Sequence, residues 1–390
     1  MQIMTIVGAR PQFIKAAMVS REIARRAGGA EEAGATPPLV EILVHTGQHD
    51  DANMSDVFFE ELSIPRPDLH LGISGGGHGA MTGRMLAALE PAMIERAPDW
   101  VLVYGDTNST LAGALTAAKL GVPIAHVEAG LRSFDLGMPE EINRRLTDHC
   151  AALLFAPTRG AVENLRREGI APDRVVLAGD VMYDAMLFHR EEARARSRIL
   201  DDLGLEPGGF ILATVHRAAN TDAEPALRGV MDGLALLADL APVVLPLHPR
   251  TRKGLAAAGL LDSVAGRLGL IDPVGYHDMV MLEASAALVA TDSGGVQKEA
   301  FFNGVPCLTL REETEWTELV EAGANTLVGS DPQRILAGGR AAIGRAVETG
   351  DFYGDGSAAV AIVDELLRWG ARRDGACGHA GTRTIRRATL

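Results

Sequence analysis

Cysteine is scarce in this chain, with three residues among 390: Cys150, Cys307 and Cys377. Their spacing suits neither a disulfide framework nor a cysteine-based metal site. The sequence therefore predicts a protein of a reducing compartment, the cytoplasm, and it predicts no cysteine-based metal site.

Long apolar runs are also missing, although hydrophobic residues make up 47% of the chain. No run reaches the roughly 18–20 residues that a membrane span requires, so we expect no membrane association. The first apolar run, Met1–Val7, has no basic region before it. This pattern predicts a strand and not a signal peptide.

Positive charge is in deficit, since 37 Lys and Arg residues stand against 51 Asp and Glu residues and give a formal net charge of −14. Such a charge argues against a nucleic-acid partner. It leaves an anionic substrate possible, because single arginines and helix N-termini bind phosphate within an acidic protein.

What the chain does contain is an alternation of short Val, Ile and Leu runs with longer helical segments, in two sets of similar length. Continuous apolar strands separated by helices are typical of parallel sheets buried on both faces, and two domains are the expected number at this length. The sequence therefore predicts an α/β fold of two Rossmann-like domains facing a cleft. The predicted domains are residues 1–180 with a last helix at about 358–369, and 181–357, followed by a disordered tail at 370–390. The predicted strands are Ile3–Val7, Ile42–His45, Trp100–Tyr104, Pro123–Val127 and Val175–Leu177, then Phe210–Val215, Val243–Leu245, Leu268–Ile271, Ala287–Ala290 and Cys307–Leu310.

Glycine and arginine follow the first predicted strand, at the sheet edge where open parallel sheets bind ligands. The turn GARP, residues 8–11, leads into a helix that carries Lys15. Glycine lets backbone approach a ligand, and an arginine such as Arg10 grips phosphate with two hydrogen bonds. On these residues alone, a phosphate site and an ordinary tight turn with a surface arginine are equally good interpretations.

Acidic residues follow two further strands of the first half. Asp106 and Glu128 come just after the strands that end at Tyr104 and Val127, and Glu140 begins a charged helix. Two carboxylates that share one cavity acquire separated pKa values, as a general acid and a general base require. The alternatives are that Asp106 caps a helix and that Glu140 complements a helix dipole.

The second half offers a histidine and a glycine turn. His216 and Arg217 end one strand, and TDSGG, residues 291–295, precedes a helix that carries Glu299. Backbone amides at such a turn cradle a diphosphate, and a glutamate further along accepts hydrogen bonds from ribose hydroxyls. A structural histidine and a plain buried glycine turn are the alternatives.

Taken together, these segments resemble the non-hydrolysing UDP-N-acetylglucosamine 2-epimerases. The resemblance runs in order over roughly residues 1–368 and implies a two-domain fold like that of the GT-B glycosyltransferases, with UDP held mainly by the second domain. The matching stretches are Gly8–Lys15 (GARPQFIK), Thr46–His49 (TGQH), Gly105–Thr107 (GDT), His126–Arg132 (HVEAGLR), Pro139–Arg144 (PEEINR), His216–Arg217 and Thr291–Ala300 (TDSGGVQKEA).

Finer details resemble one branch of this family, the UDP-2,3-diacetamido-2,3-dideoxyglucuronate 2-epimerases of surface-polysaccharide synthesis. Trp316, in the string TEW at 314–316, stands where typical N-acetylglucosamine epimerases carry Thr-Glu-Arg-Pro. One departure is Ala219, which replaces the glutamate of the family's usual His-Arg-x-Glu-Asn. The other strings that resemble the branch are DANMSDVFFEEL (51–62), VYGDTNSTLAGAL (103–115), PLHPRTR (246–252) and VQKEAFFNGVPC (296–307).

The resemblance implies inversion at carbon 2 of the sugar by anti elimination of UDP and re-addition, with no metal and no cofactor. The residues implied to be catalytic are Asp106, Glu128, Glu140 and His216. Those implied to bind UDP or the sugar are Arg10, Lys15, Arg132, Arg144, Arg217, Tyr276, Met279, Ser293, Gly294, Gly295, Glu299 and Arg311. An effector site, where substrate acts as activator, is implied at Gln48, His49, Arg84 and His248, with Arg217 beside them.

The implied partner is a UDP-linked acetamido sugar, with no nucleic acid and no membrane, and the implied assembly is a cytoplasmic homodimer. Two other functions stay open on the sequence. A retaining glycosyltransferase of the same architecture would also grip UDP through a glycine turn and a glutamate. An inactive nucleotide-sugar sensor is favoured slightly by Ala219.

Overall fold

A computed structural model describes residues 1–32, 39–48 and 65–376. The chain forms two compact units: unit 1 comprises Met1–Ala185 and the segment from Phe352 onward, and unit 2 comprises Met186–Asp351. Among the described residues, no helix combines the length and the apolar character needed to cross a membrane. His49, the string at 51–62 and residues 377–390 of the predicted tail lie outside the described residues.

Unit 1 is built on a seven-stranded sheet in which every strand pair is parallel. Most residues of its central strands are buried, because helices cover both faces of such a sheet. The strands are β1 (Gln2–Val7), β2 (Val40–His45), β3 (Leu69–His70), β4 (Trp100–Tyr104), β5 (Ile124–Val127), β6 (Leu153–Ala156) and β7 (Val175–Leu177). Their order across the sheet is β3-β2-β1-β4-β5-β6-β7.

Unit 2 repeats the plan with a six-stranded parallel sheet and its own apolar core. Its strands are β8 (Ile211–Thr214), β9 (Val243–Pro246), β10 (Gly269–Ile271), β11 (Leu288–Thr291), β12 (Cys307–Thr309) and β13 (Asn325–Leu327). Their order is β10-β9-β8-β11-β12-β13. Strands β9 and β10 are added on one side of β8 and the later strands on the other, as happens around β1 in unit 1. This reversal in strand order is the place where doubly wound sheets bind ligands.

Most of the helices connect consecutive strands within one sheet, whereas α6 and α7 link the two sheets and α15 and α16 follow the last strand. They are α1 (Arg10–Glu32), α2 (His78–Arg96), α3 (Asn108–Leu120), α4 (Pro139–Cys150), α5 (Arg159–Arg167), α6 (Val181–Arg196), α7 (Ile199–Leu203), α8 (Ala218–Thr221), α9 (Glu224–Leu237), α10 (Pro249–Ala257), α11 (Leu261–Ala265), α12 (Tyr276–Ser285), α13 (Gly294–Phe302), α14 (Thr317–Glu321), α15 (Pro332–Ala342) and α16 (Ala358–Ala376). The boundary between the units falls within α6, and α16 returns the chain to unit 1.

The predicted fold class, two Rossmann-like α/β domains, is confirmed, and each predicted strand is present within one or two residues of its expected bounds. Three strands were not predicted: β3, β6 and β13. β3 has only two residues and β13 is an edge strand with two polar residues, so neither shows a long apolar run. The expected start of the disordered tail at residue 370 is wrong, because α16 continues to Ala376.

Candidate active site

The carboxyl ends of β4 and β5 lie side by side in unit 1. Tyr104 pairs with Val127 at the last position of the two strands, and the amide of Gly105 donates to the carbonyl of Val127 at 3.0 Å. The residues that follow these strands, Asp106 and Glu128, therefore leave the sheet at neighbouring points.

Asp106 does not cap the helix that follows it. The N-cap of α3 is Thr107, whose hydroxyl accepts from the amide of Thr110 in a reciprocal capping box. The Asp106 carboxylate instead forms an ion pair with Arg144, and the Asp106 carbonyl accepts from Asn143 at 2.9 Å. The structure thus removes the capping interpretation of Asp106.

The protonation of Asp106 is set by opposing effects. Burial raises the pKa of this carboxyl, the Arg144 guanidinium lowers it, and the nearby Glu128 raises it again, with a net increase. About a third of the Asp106 side chain, 32%, still reaches solvent. A partly accessible carboxyl with a raised pKa suits a group that exchanges a proton with a ligand.

Glu128 is held in an unusual backbone conformation. Its φ of +68° lies in the left-handed region, which non-glycine residues rarely adopt. Its carboxylate forms an ion pair with Lys15 of α1, and both side chains are nearly buried. Gly105 makes room for this pair, because a Cβ there would lie 3.2 Å from Glu128 Oε2 and 3.6 Å from Lys15 Nζ. Strain of this kind, kept by surrounding contacts, is typical of functional sites.

The start of α4 brings Glu140 to the same edge. Glu140 is half-buried and precedes Arg144 by four residues, so the two share a helix face. The neighbouring Glu141 is the structural acid: it is fully buried and accepts from the Ser133 amide at 2.9 Å and from Arg144 at 3.1 Å. The two consecutive glutamates therefore differ in their surroundings, and of the two only Glu140 is partly exposed to solvent.

Arg132, predicted to bind substrate, is enclosed by the protein. Its side chain is fully buried and pairs with Asp148 at 2.7 Å and with Glu168 at 2.8 Å. Asp148 also meets His126 at 2.7 Å, and His126 in turn contacts the Gly105 carbonyl at 2.7 Å. The geometry does not support a substrate contact for Arg132, because its guanidinium is committed to this network. The network was not predicted, although His126 was part of a motif.

The first turn of α1 is organised by a glutamine that the sequence did not single out. Gln12 is buried, and its oxygen accepts from the Gly8 amide at 2.8 Å and the Ala9 amide at 3.1 Å. Its amide nitrogen donates to the Tyr104 carbonyl at 2.7 Å. This brings the turn against the end of β4, while Arg10 is exposed at the first position of α1.

In unit 2, His216 follows β8 and is partly exposed, at 39% of its side chain. Burial of the ring lowers its pKa, an effect that Asp292 opposes and His248 reinforces. Asp292 is fully buried and accepts from the amides of His216 at 3.1 Å and Arg217 at 3.0 Å. Asp292 therefore holds the turn that presents the histidine, a role the sequence did not predict.

The glycine turn after β11 leads directly into α13. Ser293 is its N-cap, but the serine side chain makes no capping bond to the helix, and the Ser293 amide donates to Thr291 Oγ1 at 2.9 Å. Trp316 donates from its indole nitrogen to the Gly294 carbonyl at 2.9 Å. The positive end of α13 and the exposed Gly295 therefore suit an anion such as phosphate.

Glu315 lies close to two arginines of unit 2. It accepts from Arg311 at 2.9 Å, and Arg217 Nη2 lies 3.9 Å away. Ala219, which replaces the family's glutamate, is exposed on α8. Its neighbour Asn220 is buried and donates to Asp292 at 3.0 Å, so α8 is anchored without the missing carboxylate.

The predicted uracil and ribose contacts lie on α12 and α13. Tyr276 is buried at the start of α12, and Met279 and Glu299 are partly exposed. Glu283 is buried beside Glu299, and burial together with that neighbouring carboxylate raises the pKa of Glu283 well above its ordinary value. Glu283 therefore lies directly beside the proposed ribose contact, and no motif pointed to it.

The predicted effector residues have local structural partners. Gln48 accepts from the Ser109 amide at 3.0 Å, and Arg84 donates to the Ser74 carbonyl at 2.8 Å. In unit 2, His248 is exposed and caps α10, with its ring nitrogen accepting from the backbone at 3.1 Å.

Comparison with known proteins decides the family. The family model described as UDP-N-acetylglucosamine 2-epimerase matches residues 31–367. The chain belongs to this family. The UDP-2,3-diacetamido-2,3-dideoxy-D-glucuronate 2-epimerase of Pseudomonas aeruginosa is 51% identical to this chain, over 94% of this chain and 100% of that protein.

Solved structures of UDP-GlcNAc 2-epimerases resemble this chain in fold as well. The UDP-GlcNAc 2-epimerase of Methanocaldococcus jannaschii, in complex with UDP-GlcNAc and UDP, superposes with a TM-score of 0.82 at 39% identity, over 94% of this chain and 100% of that one. That of Neisseria meningitidis, bound to UDP-GlcNAc, gives 0.80 at 31% identity over the same shares. The protein is an isomerase of the epimerase class, as predicted.

Proposed function

We propose that this epimerase inverts carbon 2 of a UDP-linked 2-acetamido sugar, with unit 2 binding UDP and unit 1 performing the proton chemistry. The observation that carries the proposal is the pair of carboxylates after β4 and β5. Asp106 is paired with Arg144, and Glu128 is paired with Lys15. Two acids in unlike surroundings, at adjacent strand ends, suit proton removal and proton return.

The proton on carbon 2 of an acetamido sugar does not lie next to a carbonyl carbon, so its direct removal to give a free carbanion is too costly. We propose that a base takes this proton while the bond between carbon 1 and the UDP oxygen breaks. The C–H electron pair forms the C1–C2 double bond, and UDP leaves with the electrons of its own bond. An acid then protonates carbon 2 on the other face, and UDP adds back to carbon 1.

In unit 1, Asp106, Glu128 and Glu140 are the proposed proton carriers. Arg144 and Lys15 are the proposed counter-charges, because each is already paired with one of the acids. In unit 2, His216 is proposed to stabilise or protonate the departing diphosphate. Its lowered pKa keeps the ring neutral near neutral pH, so that it gains a proton only beside a negative ligand.

UDP binding is proposed for the glycine turn and its neighbours in unit 2. Ser293, Gly294 and Gly295 begin α13, where backbone amides and the helix dipole favour the diphosphate. Glu299 is proposed to accept from ribose hydroxyls, with the buried Glu283, whose pKa is raised, beside it. The other proposed contacts are Arg10, Arg217, Arg311, Tyr276 and Met279.

For the sugar, we propose UDP-2,3-diacetamido-2,3-dideoxyglucuronate and a role in making a polysaccharide precursor. The support is the 51% identity to the Pseudomonas aeruginosa enzyme of that name, against 48% to a UDP-N-acetylglucosamine 2-epimerase homolog of Methanococcus maripaludis and 39% to the UDP-N-acetylglucosamine 2-epimerase of Methanocaldococcus jannaschii. A panel of UDP-acetamido sugars, each incubated alone with the enzyme, tests this by proton spectra of the products. Preference for UDP-N-acetylglucosamine would overturn the substrate assignment, and no reaction without an acceptor would favour a glycosyltransferase.

The proton chemistry is tested with Asp106→Asn. We expect turnover to fall by about 10²- to 10⁴-fold, the usual contribution of a general acid or base, with little loss of UDP binding. Asp99→Asn is the matched control, because Asp99 precedes the opposite end of the same strand and its carboxylate accepts from the Gln2 amide at 2.7 Å. Near-normal turnover of Asp106→Asn would remove this residue from the mechanism.

The elimination route is tested in heavy water. We expect one deuterium at carbon 2 of the product, because the proton returned to carbon 2 comes from a group that exchanges with solvent. Mass spectrometry and proton spectra measure the label. Product formed without any label at carbon 2 would exclude elimination and re-addition while leaving the family assignment intact.

We also propose a homodimer that uses unit 1. The support is a group of exposed apolar side chains on α4 and the loop before it, where Ile142 and Leu146 share one helix face and Phe134 is 71% exposed. Light scattering on the wild type and on Leu146→Asp tests the idea. A monomeric wild type would refute it.

The cytoplasm stays the predicted location.

A further inference from the structure

A cluster of metal-binding side chains lies in unit 2, apart from the residues assigned to catalysis. His189 and Glu192 occupy α6, and His277 is the second residue of α12. One ligand atom from each lies within 4.8 Å of the others. The cysteine spacing could not reveal this group, because its members are far apart in the sequence.

The distances within the cluster are long for charge-assisted hydrogen bonds, although the His189–Glu192 contact still falls within hydrogen-bond range. His189 Nδ1 lies 3.3 Å and His277 Nε2 lies 3.5 Å from the same carboxylate oxygen, Glu192 Oε2. A charge-assisted hydrogen bond is shorter, at about 2.7–2.9 Å. Such a bond occurs in unit 1, where His126 meets Asp148 at 2.7 Å.

These separations fit ligands arranged around one ion. With bonds of about 2.0–2.2 Å, tetrahedral zinc places neighbouring ligand atoms about 3.3–3.5 Å apart. The His-x-x-Glu spacing puts His189 and Glu192 on one face of α6. The His189 side chain is fully buried, and those of Glu192 and His277 are 21% and 11% exposed. Two imidazoles and one carboxylate supply three of the four positions of tetrahedral zinc, and a water molecule would complete the fourth.

We propose that His189, Glu192 and His277 bind one structural Zn²⁺ ion that fastens α6 to the first turn of α12. The same segments are already joined by Ser197, whose hydroxyl donates to Asp278 at 2.6 Å. Tyr276 packs edge-on against the His189 ring at a centroid distance of 5.0 Å. The ion would therefore stabilise the segment that carries the proposed uracil contacts, without taking part in the reaction.

The test measures metal content and does not depend on epimerase activity. Full-length enzyme is purified without an affinity tag, stripped with a chelator and titrated calorimetrically with ZnCl₂. We expect one equivalent to bind and the thermal unfolding midpoint to rise, because a ligand that binds the folded state stabilises it. Glu192→Gln and His277→Asn should each weaken Zn²⁺ binding by at least about tenfold.

Glu191→Gln is the matched control, because Glu191 neighbours Glu192 on α6 but is exposed and pairs with Arg194. This variant should bind Zn²⁺ as the wild type does. Circular dichroism confirms that each variant is folded before titration, and the two site variants act as replicates of each other. No stoichiometric Zn²⁺ in the wild type, or equal binding by wild type, Glu192→Gln and His277→Asn, would overturn the proposal.

Discussion

Replacing Asp148 by asparagine tests whether the buried network of unit 1 supports the site. The Asp148 carboxylate meets His126 at 2.7 Å and Arg132 at 2.7 Å, and it accepts from the Gly130 amide at 3.1 Å. All three side chains of the network are fully buried. Asparagine keeps the shape but removes the negative charge that compensates the buried Arg132 guanidinium.

Breaking a buried ion pair by removing one partner costs about 3–5 kcal/mol, since the remaining charge loses its compensation. We expect the free energy of unfolding of unit 1 to fall by that amount at pH 7, measured by urea denaturation. Turnover should fall as well, because His126 contacts the carbonyl of Gly105, a residue that lies against the Glu128 carboxylate, and Asp148 accepts from the amide of Gly130, two residues after Glu128.

The pH dependence follows from the sign of the Asp148 shift. Burial opposes ionisation, but His126 and Arg132 outweigh it and lower the pKa of Asp148 below its ordinary 3.8. Its contribution is therefore fully present above about pH 3.8 and is lost only as the pH falls through the lower, folded-state pKa. The stability gap between wild type and Asp148→Asn should therefore persist at pH 5 and close only below about pH 3.8, measured by urea denaturation.

Glu163→Gln is the control, because Glu163 and its partner Arg166 form an exposed ion pair, and such pairs contribute little. Its unfolding midpoint should match that of the wild type. If Asp148→Asn were as stable as this control, the buried network would not be a major source of stability, and its proposed support of the strand ends would fail.

Thr107→Ala should lower the free energy of unfolding by about 1 kcal/mol, measured by urea denaturation, because Thr107 caps α3. Turnover should change little, and a loss as large as that of Asp106→Asn would show that capping, and not the Asp106 carboxylate, controls activity. Trp316→Phe should leave the Gly294 carbonyl without its indole donor, a change worth about 1–3 kcal/mol for a buried group. We expect weaker inhibition by UDP, and an unchanged inhibition constant would separate Trp316 from UDP binding.

The order of motifs along the chain was sufficient to predict the fold class and the family. Strands such as Trp100–Tyr104 are continuous apolar runs, and these are visible in one dimension because a parallel sheet is buried on both faces. Short edge strands such as Asn325–Leu327 carry no such signal, since their pairing depends on a neighbour already in place.

The sequence by itself singled out Asp106, Glu128 and His216, because each is a titratable residue directly after an apolar run. It could not tell a cap from a site residue, and only the capping box at Thr107 showed that Asp106 serves another purpose. It also placed Arg132 with the ligand contacts, although the folded chain encloses that guanidinium between Asp148 and Glu168.

Gln12, Asp292 and the cluster of His189, Glu192 and His277 emerged only from the tertiary structure. Each acts on groups that are distant in sequence: Gln12 donates to the Tyr104 carbonyl, and Asp292 accepts from the His216 amide. A linear sequence records which side chains are present and how they alternate. Which of them meet is decided by the packing of strands and helices, because hydrogen bonds and ion pairs depend on distances that only the folded backbone sets.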